Sequence, residues 1–332
     1  MDRESILSLL MGPAEKTLKE LEPLLDRVGY PQTNGEVRLL GRIDISNYCA
    51  KKCLFCHQAA NRWGVKRYRM EAPEIIACCI QAKALGCEGV ILGSGMDPLL
   101  GAGLVTKIVR WMKSETGLPL TLSMGERSAT ELQAWRMAGA DRYFLPIDST
   151  DRILYRTLHP PDLKSLRGRI DLVKRARNMG YSIGGGIRVG LPGQTWRTLA
   201  RDLETLRRLP VDYFEVGSFP YGPLAPGGVG KYSPLMASPD FQVPNDNLTT
   251  LKVWALVRLL RPKAMVLGPS MSSAPSEQRM TTQGIAFGIN AEIMNLTPRR
   301  FWARFKKPID GSHTSPLPAS GDGVECHSVM GC

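Results

Sequence analysis

The feature that most narrows the fold is a rhythm. From residue 37 onward, strand-like runs alternate with helical stretches at roughly 25–35 residues, the length of one strand-plus-helix unit. Strand patterning falls at 37–45, 89–92, 119–123, 142–145, 182–189, 213–217, 264–267 and 285–294. Helical patterning falls at 73–84, 104–115, 129–138, 166–179, 195–208 and 248–260. Eight strands with helices between them predict an α/β fold, a TIM-type (β/α)8 barrel over residues 35–305, with its chemistry at the strand C-terminal ends. A doubly wound open sheet accommodates the same rhythm. Ahead of it, Ile6, Leu9, Leu10, Leu18, Leu21, Leu24 and Leu25 recur at helical spacing around a break at Gly12-Pro13, predicting a helical extension over 1–34. Residues 306–332 read as an irregular tail, since eleven of the last 25 residues are Pro, Gly or Ser.

The apolar share, 43%, suits a packed chain, and no apolar run reaches the ~18–20 residues of a membrane span. Asp2, Arg3 and Glu4 precede a short apolar patch, unlike a basic secretory leader, so a cytoplasmic location is expected. The formal charge of +12 favours anionic partners without choosing among them. Eight cysteines are present, but three crowd into residues 49–56 and two are adjacent at 78 and 79, which suits a metal site better than a disulfide framework.

Cys49, Cys53 and Cys56 form a C-x3-C-x2-C run directly after the first strand. Three thiolates so spaced can each ligate one iron of a [4Fe-4S] cubane, leaving the fourth iron open to chelate a small molecule. The competing reading is a zinc site with His57 as fourth ligand. Structural zinc sites usually pair C-x2-C with a distant second pair, which this sequence lacks.

The spacing resembles the radical S-adenosylmethionine (SAM) superfamily. Around it stand Ile45-Ser46-Asn47-Tyr48, Arg67-Tyr68-Arg69-Met70, Gly93-Ser94-Gly95-Met96-Asp97-Pro98, Leu122-Ser123-Met124-Gly125-Glu126, Ala138-Gly139-Ala140-Asp141-Arg142-Tyr143, Gly190-Leu191-Pro192-Gly193-Gln194-Thr195 and Gly288-Ile289-Asn290-Ala291. In that order they are similar to the group containing biotin synthase, the [FeFe]-hydrogenase maturase HydE and methylornithine synthase (PylB), with HydE nearest in wording. The resemblance implies a [4Fe-4S] cluster and SAM in the barrel mouth, and reductive cleavage of SAM to a 5′-deoxyadenosyl radical. It implies that Phe55 lies beside the adenine, that Asp148 accepts from the ribose hydroxyls, and that Arg169 grips the SAM carboxylate. Gly186, with Gly184 and Gly185, and Gly190, in the 190–193 turn, would allow close backbone approach to a ligand.

Departures from the group matter. Its Gly-Glu after the second strand reads Gly95-Met96 here, leaving either Asp97, one residue along, or a backbone carbonyl as the acceptor for the SAM amino group. Pro146 stands where HydE commonly carries an arginine, which suggests an altered substrate pocket. The cysteines of biotin synthase's second cluster have no counterparts, and Cys326 and Cys332 do not reproduce HydE's C-terminal trio. Glu126 is the most attractive polar substrate contact. Residues 152–208 hold 13 Lys/Arg against 4 Asp/Glu, mostly solvated helix faces, with Arg188 expected to point inward. No appended RNA-binding module or aromatic-basic interleaving supports nucleic acid as a partner. The expected partners are a small-molecule substrate, an electron donor such as flavodoxin or ferredoxin, and other cofactor-maturation proteins, without a membrane. The expected reaction is HydE-like metallocofactor assembly. A PylB-like rearrangement of an amino-acid skeleton and a non-catalytic iron–sulfur or zinc protein are the alternatives.

Overall fold

The computed structural model describes residues 1–30, 37–62, 64–219, 236–238, 240–271 and 275–302. Eight parallel strands close a barrel in sequence order: β1 (Arg38–Asp44), β2 (Gly89–Gly93), β3 (Leu120–Ser123), β4 (Arg142–Phe144), β5 (Ser182–Val189), β6 (Tyr213–Ser218), β7 (Met265–Met271) and β8 (Ala291–Asn295). β8 returns to β1 with Arg38 opposite Ala291. Closure excludes the open doubly wound sheet. Two helices, α1 (Arg3–Met11) and α2 (Ala14–Arg27), precede the barrel. The strands are linked by α3 (Ala72–Ala84), α4 (Ala102–Thr116), α5 (Ala129–Ala138), α6 (Arg152–Leu158), α7 (Leu166–Asn178), α8 (Trp196–Arg208), α9 (Asn247–Leu260) and α10 (Pro275–Ala286), and α11 (Arg299–Trp302) follows β8.

One boundary is corrected. The strand expected over 285–294 begins only at Ala291, because Ile285 and Ala286 complete α10 and Gly288, at φ +126°, turns the chain into β8. An apolar run alone does not tell a helix end from a strand. The tail at 306–332, with Cys326, His327 and Cys332, and the end of the 1–34 extension lie outside the described residues.

Local chemistry explains the elements. Asp2, Ser128, Asp151, Ser165, Thr195 and Asp246 accept from first-turn backbone N–H groups at the starts of α1, α5, α6, α7, α8 and α9. Left-handed Gly117 and Gly139 end α4 and α5. Inside the barrel, Leu40, Ile91, Phe144, Tyr213, Met265, Leu267, Ala291 and Ile293 form a sealed apolar floor. Most of the remaining core lies between strands and helices. Buried Lys252 on α9 donates to the carbonyls of Leu10 (2.6 Å) and Gly12 (2.9 Å), holding the α1–α2 corner against the barrel wall.

Candidate active site

The loop between β1 and α3 carries the three cysteines, and hydrogen bonds to backbone atoms shape it. Arg62 donates to the carbonyls of Cys56 (3.0 Å) and Leu54 (2.8 Å), and Arg67 to those of Gln58 (2.7 Å) and Ala59 (2.6 Å). Leu54 N–H donates to the Leu158 carbonyl at the end of α6, and Ala50 N–H to the Met96 carbonyl after β2. The loop is thus moored to two barrel segments besides its own. A Cβ on Gly95 would lie 2.4 Å from the Tyr48 carbonyl oxygen and 2.6 Å from Cys49 Cβ, so only glycine lets the β2 end pass under the first cysteine. Cys49, Cys53 and Cys56 are all part-exposed free thiols. Burial pushes the Cys53 thiol up to about 12 and Cys56 to about 11, with the neighbouring cysteines adding to the effect. Such thiols ionise when a cation binds them. Among the described residues, no three His, Cys, Asp or Glu side chains converge on a single-ion site.

Facing the loop across the mouth is a charged group from β4, α6 and α7. Asp148, just beyond β4, takes φ +63°, the only positive φ outside glycine among the described residues. Its Oδ2 lies 3.1 Å from His159 Nε2 and 3.8 Å from Arg169 Nη1, and its Oδ1 lies 3.5 Å from Arg188 Nε. Burial alone would push this carboxyl up. The His159 hydrogen bond and the His159, Arg188 and Arg169 charges outweigh it and hold the group down at about 2. His159 Nδ1 sits 2.9 Å from the Tyr155 carbonyl, so both ring nitrogens face acceptors, and a ring protonated on each satisfies both. Phe55 packs edge-on to His159 (centroids 5.6 Å apart) and against Phe219, placing an aromatic wall between the cysteine loop and the charged group.

Glu126, beyond β3, is buried. It accepts from Lys164 N–H (3.0 Å), and its Oε1 is 3.3 Å from Arg169 Nε. These carboxylates lie near Arg169 without hydrogen-bonding geometry: Arg169 Nε and Nη1 and Glu126 Oε1 are buried with no hydrogen-bond partner. The two carboxylates balance the guanidinium charge, but the buried donors without a hydrogen-bond partner carry a desolvation cost.

A model of the radical SAM superfamily matches residues 43–206. The chain is 31% identical to the [FeFe] hydrogenase maturase subunit HydE of Thermotoga maritima over 83% of its own length and 74% of that protein. It is 28% identical to the 3-methylornithine synthase of Methanosarcina acetivorans, over 79% of this chain and 71% of that one. The chain belongs to the radical SAM superfamily. Within it the HydE, PylB and biotin synthase group is its place. The crystal structure of methylornithine synthase (PylB) has the same fold, at TM-score 0.76 and 24% identity over 90% of this chain and 83% of that one.

Radical SAM enzymes use a [4Fe-4S] cluster and SAM, and the residues present fit both. Three free thiols on one moored loop offer three iron ligands, and Arg169 Nε and Nη1, buried without hydrogen-bond partners, keep donors to offer.

Other residues expected at the site have neighbours within the protein. Asp97 does not offer a free carboxylate: fully buried, it accepts from Arg69 through both oxygens (2.7 and 2.9 Å), from Ser46 Oγ (2.6 Å) and from Leu99 N–H (3.0 Å). It fastens the cysteine loop to β2. The Met96 side chain lies over Gly125. Gly186 serves the sheet, since a Cβ there would fall 2.0 Å from the Glu215 carbonyl, and Gly190, at φ +78°, makes room for Asn245. Glu126 is turned to Arg169 and the Lys164 backbone. The sequence reading missed His159, Arg62 and Asp202. A histidine directly after the end of a short helix capped by Asp151 was the available signal for the first.

Proposed function

We propose that this protein binds SAM between the cysteine loop and the Asp148–Arg169 group and directs a 5′-deoxyadenosyl radical at a small substrate in the barrel. The observation that carries this reading is the buried Arg169 guanidinium, ion-paired with Glu126 and Asp148 yet with Nε and Nη1 lacking hydrogen-bond partners, together with the three free thiols. A [4Fe-4S] cluster held by Cys49, Cys53 and Cys56 would supply the electron for SAM cleavage. In this reading Arg169 holds the SAM carboxylate through paired N–H donors, and Asp148, ionised at every physiological pH, accepts from the ribose hydroxyls. His159 keeps Asp148 oriented, and Phe55 covers the adenine.

For the finer assignment, similarity to HydE favours a step in metallocofactor assembly, served by a low-potential donor such as flavodoxin or ferredoxin and by other maturation proteins. A second reading, a PylB-like amino-acid rearrangement, is favoured by the paired opposite charges inside the barrel. Either places the chain in the cytoplasm, where thiols stay reduced. Anaerobic reconstitution followed by SAM and dithionite should give absorbance near ~400 nm and 5′-deoxyadenosine, both lost in Cys53→Ala. Cleavage persisting in that variant would refute the proposal.

A further inference from the structure

Among the described residues three arginines are buried: Arg62, Arg169 and Arg258. Arg258, beside the start of β7, is spent on the fold. Its Nε, Nη1 and Nη2 donate to the carbonyls of Gly288, Pro262 and Ala264 at 2.7–3.1 Å, and its guanidinium lies over the Tyr30 ring. The two that keep a nitrogen without a hydrogen-bond partner, Arg169 and Arg62, both stand at the candidate active site. Arg169 has Glu126 and Asp148 as counter-charges. Arg62 meets only backbone: Nε donates to the Cys56 carbonyl and Nη2 to that of Leu54, while Nη1 is sealed from water and bonds no described residue.

A neutral amide could donate to a carbonyl as well, so mooring the loop does not call for a charge. Burying a cation without a counter-charge is costly. Residues 45–70 offer none, since they hold Lys51, Lys52, Arg62, Lys66, Arg67 and Arg69 and no Asp or Glu. From outside the loop, Asp162 matches Lys51 and Asp97 matches Arg69. Lys52 and Lys66 are exposed, and part-exposed Arg67 spends its donors on the carbonyls of Asn47, Gln58 and Ala59. Arg62 is the one cation of the six that is both buried and unmatched. The counter-charge that the loop itself can supply is the set of thiolates formed when Cys49, Cys53 and Cys56 bind iron.

We propose that Arg62 sets the reduction potential of the iron–sulfur centre: its buried charge, fixed at the backbone of Cys56, favours the reduced state and raises the potential. Net charge near a cluster and its exposure to solvent are what set that potential. One electron enters from the low-potential donor, no bond forms or breaks and no proton moves, so the centre gains one negative charge. Salt and water screen Lys52 and Lys66 but not a cation sealed in the loop. Arg62 acts through its charge, as neither an iron ligand nor a proton carrier. The inference rests on the reading that the three cysteines hold the cluster, and it is measured without SAM or turnover.

The test uses the full chain, anaerobically reconstituted without SAM and poised at a series of potentials with redox mediators. The reduced cluster is counted by electron paramagnetic resonance. Arg62→Gln, which removes the charge and keeps a donor for one carbonyl, should lower the reduced-to-oxidised ratio at a fixed potential about ten- to hundredfold. That is a midpoint about 60–120 mV more negative, at ~59 mV per tenfold for one electron. Arg62→Lys, which keeps the charge and loses the paired donors, should stay within about threefold of wild type. A merely structural role predicts the opposite: less iron in both variants, with the clusters that remain titrating as in wild type. A wild-type midpoint in Arg62→Gln, an equal shift in Arg62→Lys, or loss of the cluster from both variants overturns the inference. Each of these leaves the cluster reading standing. A wild-type chain with no reducible iron–sulfur signal sinks that reading and this inference together.

Discussion

Asp202, fully buried on α8, holds the turn that carries Asp148. Its carboxylate accepts from Thr150 N–H and hydroxyl, both at 2.6 Å, and from Ser149 Oγ at 3.1 and 3.2 Å, with Gln194 Nε2 at 3.5 Å. Every one of these donors is neutral. Burial pushes the carboxyl up from 3.8 to about 6, the hydrogen bonds offsetting only part of it. The folded chain therefore holds this proton more tightly than the unfolded chain, and stability falls as pH rises from the lower value through the upper. The full effect is about 3 kcal/mol, with about 1 kcal/mol of it between pH 5 and 7. Asp202→Asn removes the titration and keeps an acceptor for Thr150. Urea unfolding of both chains, reduced and metal-free, should show the wild type losing ground to the variant by these amounts as pH rises; taking the difference cancels other titrations common to both. A gap constant across pH would refute the argument, because it would mean that Asp202 ionises as it does in water. Asp202→Ala, which orphans the buried Thr150 N–H, should instead cost about 1–3 kcal/mol and weaken SAM binding through the Asp148 turn.

Arg169→Lys should weaken SAM binding about ten- to hundredfold, because one ammonium cannot replace two paired donors; unchanged affinity in equilibrium dialysis would remove the SAM carboxylate from this site. Gly95→Ala should cost about 1–3 kcal/mol and lower iron incorporation, as the added Cβ must displace the Tyr48–Cys49 backbone. Iron content equal to wild type would show that the loop yields freely. Lys252→Met should cost about 1–3 kcal/mol and expose the α1–α2 corner to protease, since the Leu10 and Gly12 carbonyls lose their donor; an unchanged cleavage pattern would show that apolar packing alone docks these helices.

The barrel was legible because eight strand-like runs at βα spacing leave few topologies, and the cysteine run because its ligands are local in sequence. The Asp148 group was only partly legible. Asp148 and Arg169 come from a resemblance to known enzymes, but His159 joins them through the geometry of a short helix that the apolar pattern did not reveal. Asp97 shows the opposite failure. Its place beside the expected acid suggested a cofactor contact, yet Arg69 and Ser46, distant in sequence, close on it in space. Strand alternation would have turned Arg42 and Glu215 inward once the register was known.

Closure also sorts the positive charge. The surplus over residues 152–208 divides by where each side chain points. Arg169 and Arg188 turn into the mouth, toward Asp148. Arg175 and Arg177 occupy the last turn of α7, and Arg207 and Arg208 the last turn of α8, where the helix dipole is negative. There Arg177 pairs with Asp212, Arg208 with Glu204, and Arg207 donates to the Met1 carbonyl beside the Arg3–Glu204 pair. In a βα barrel the helices run back against the strands, so these ends lie at the face opposite the mouth. A strand of about eight residues separates the two faces by roughly 27 Å, several Debye lengths at physiological salt. The basic helix ends therefore do little to draw anions to the mouth. Their charge complements helix termini and pairs with the start of the chain, and the site's own recognition falls to the few charges turned inward.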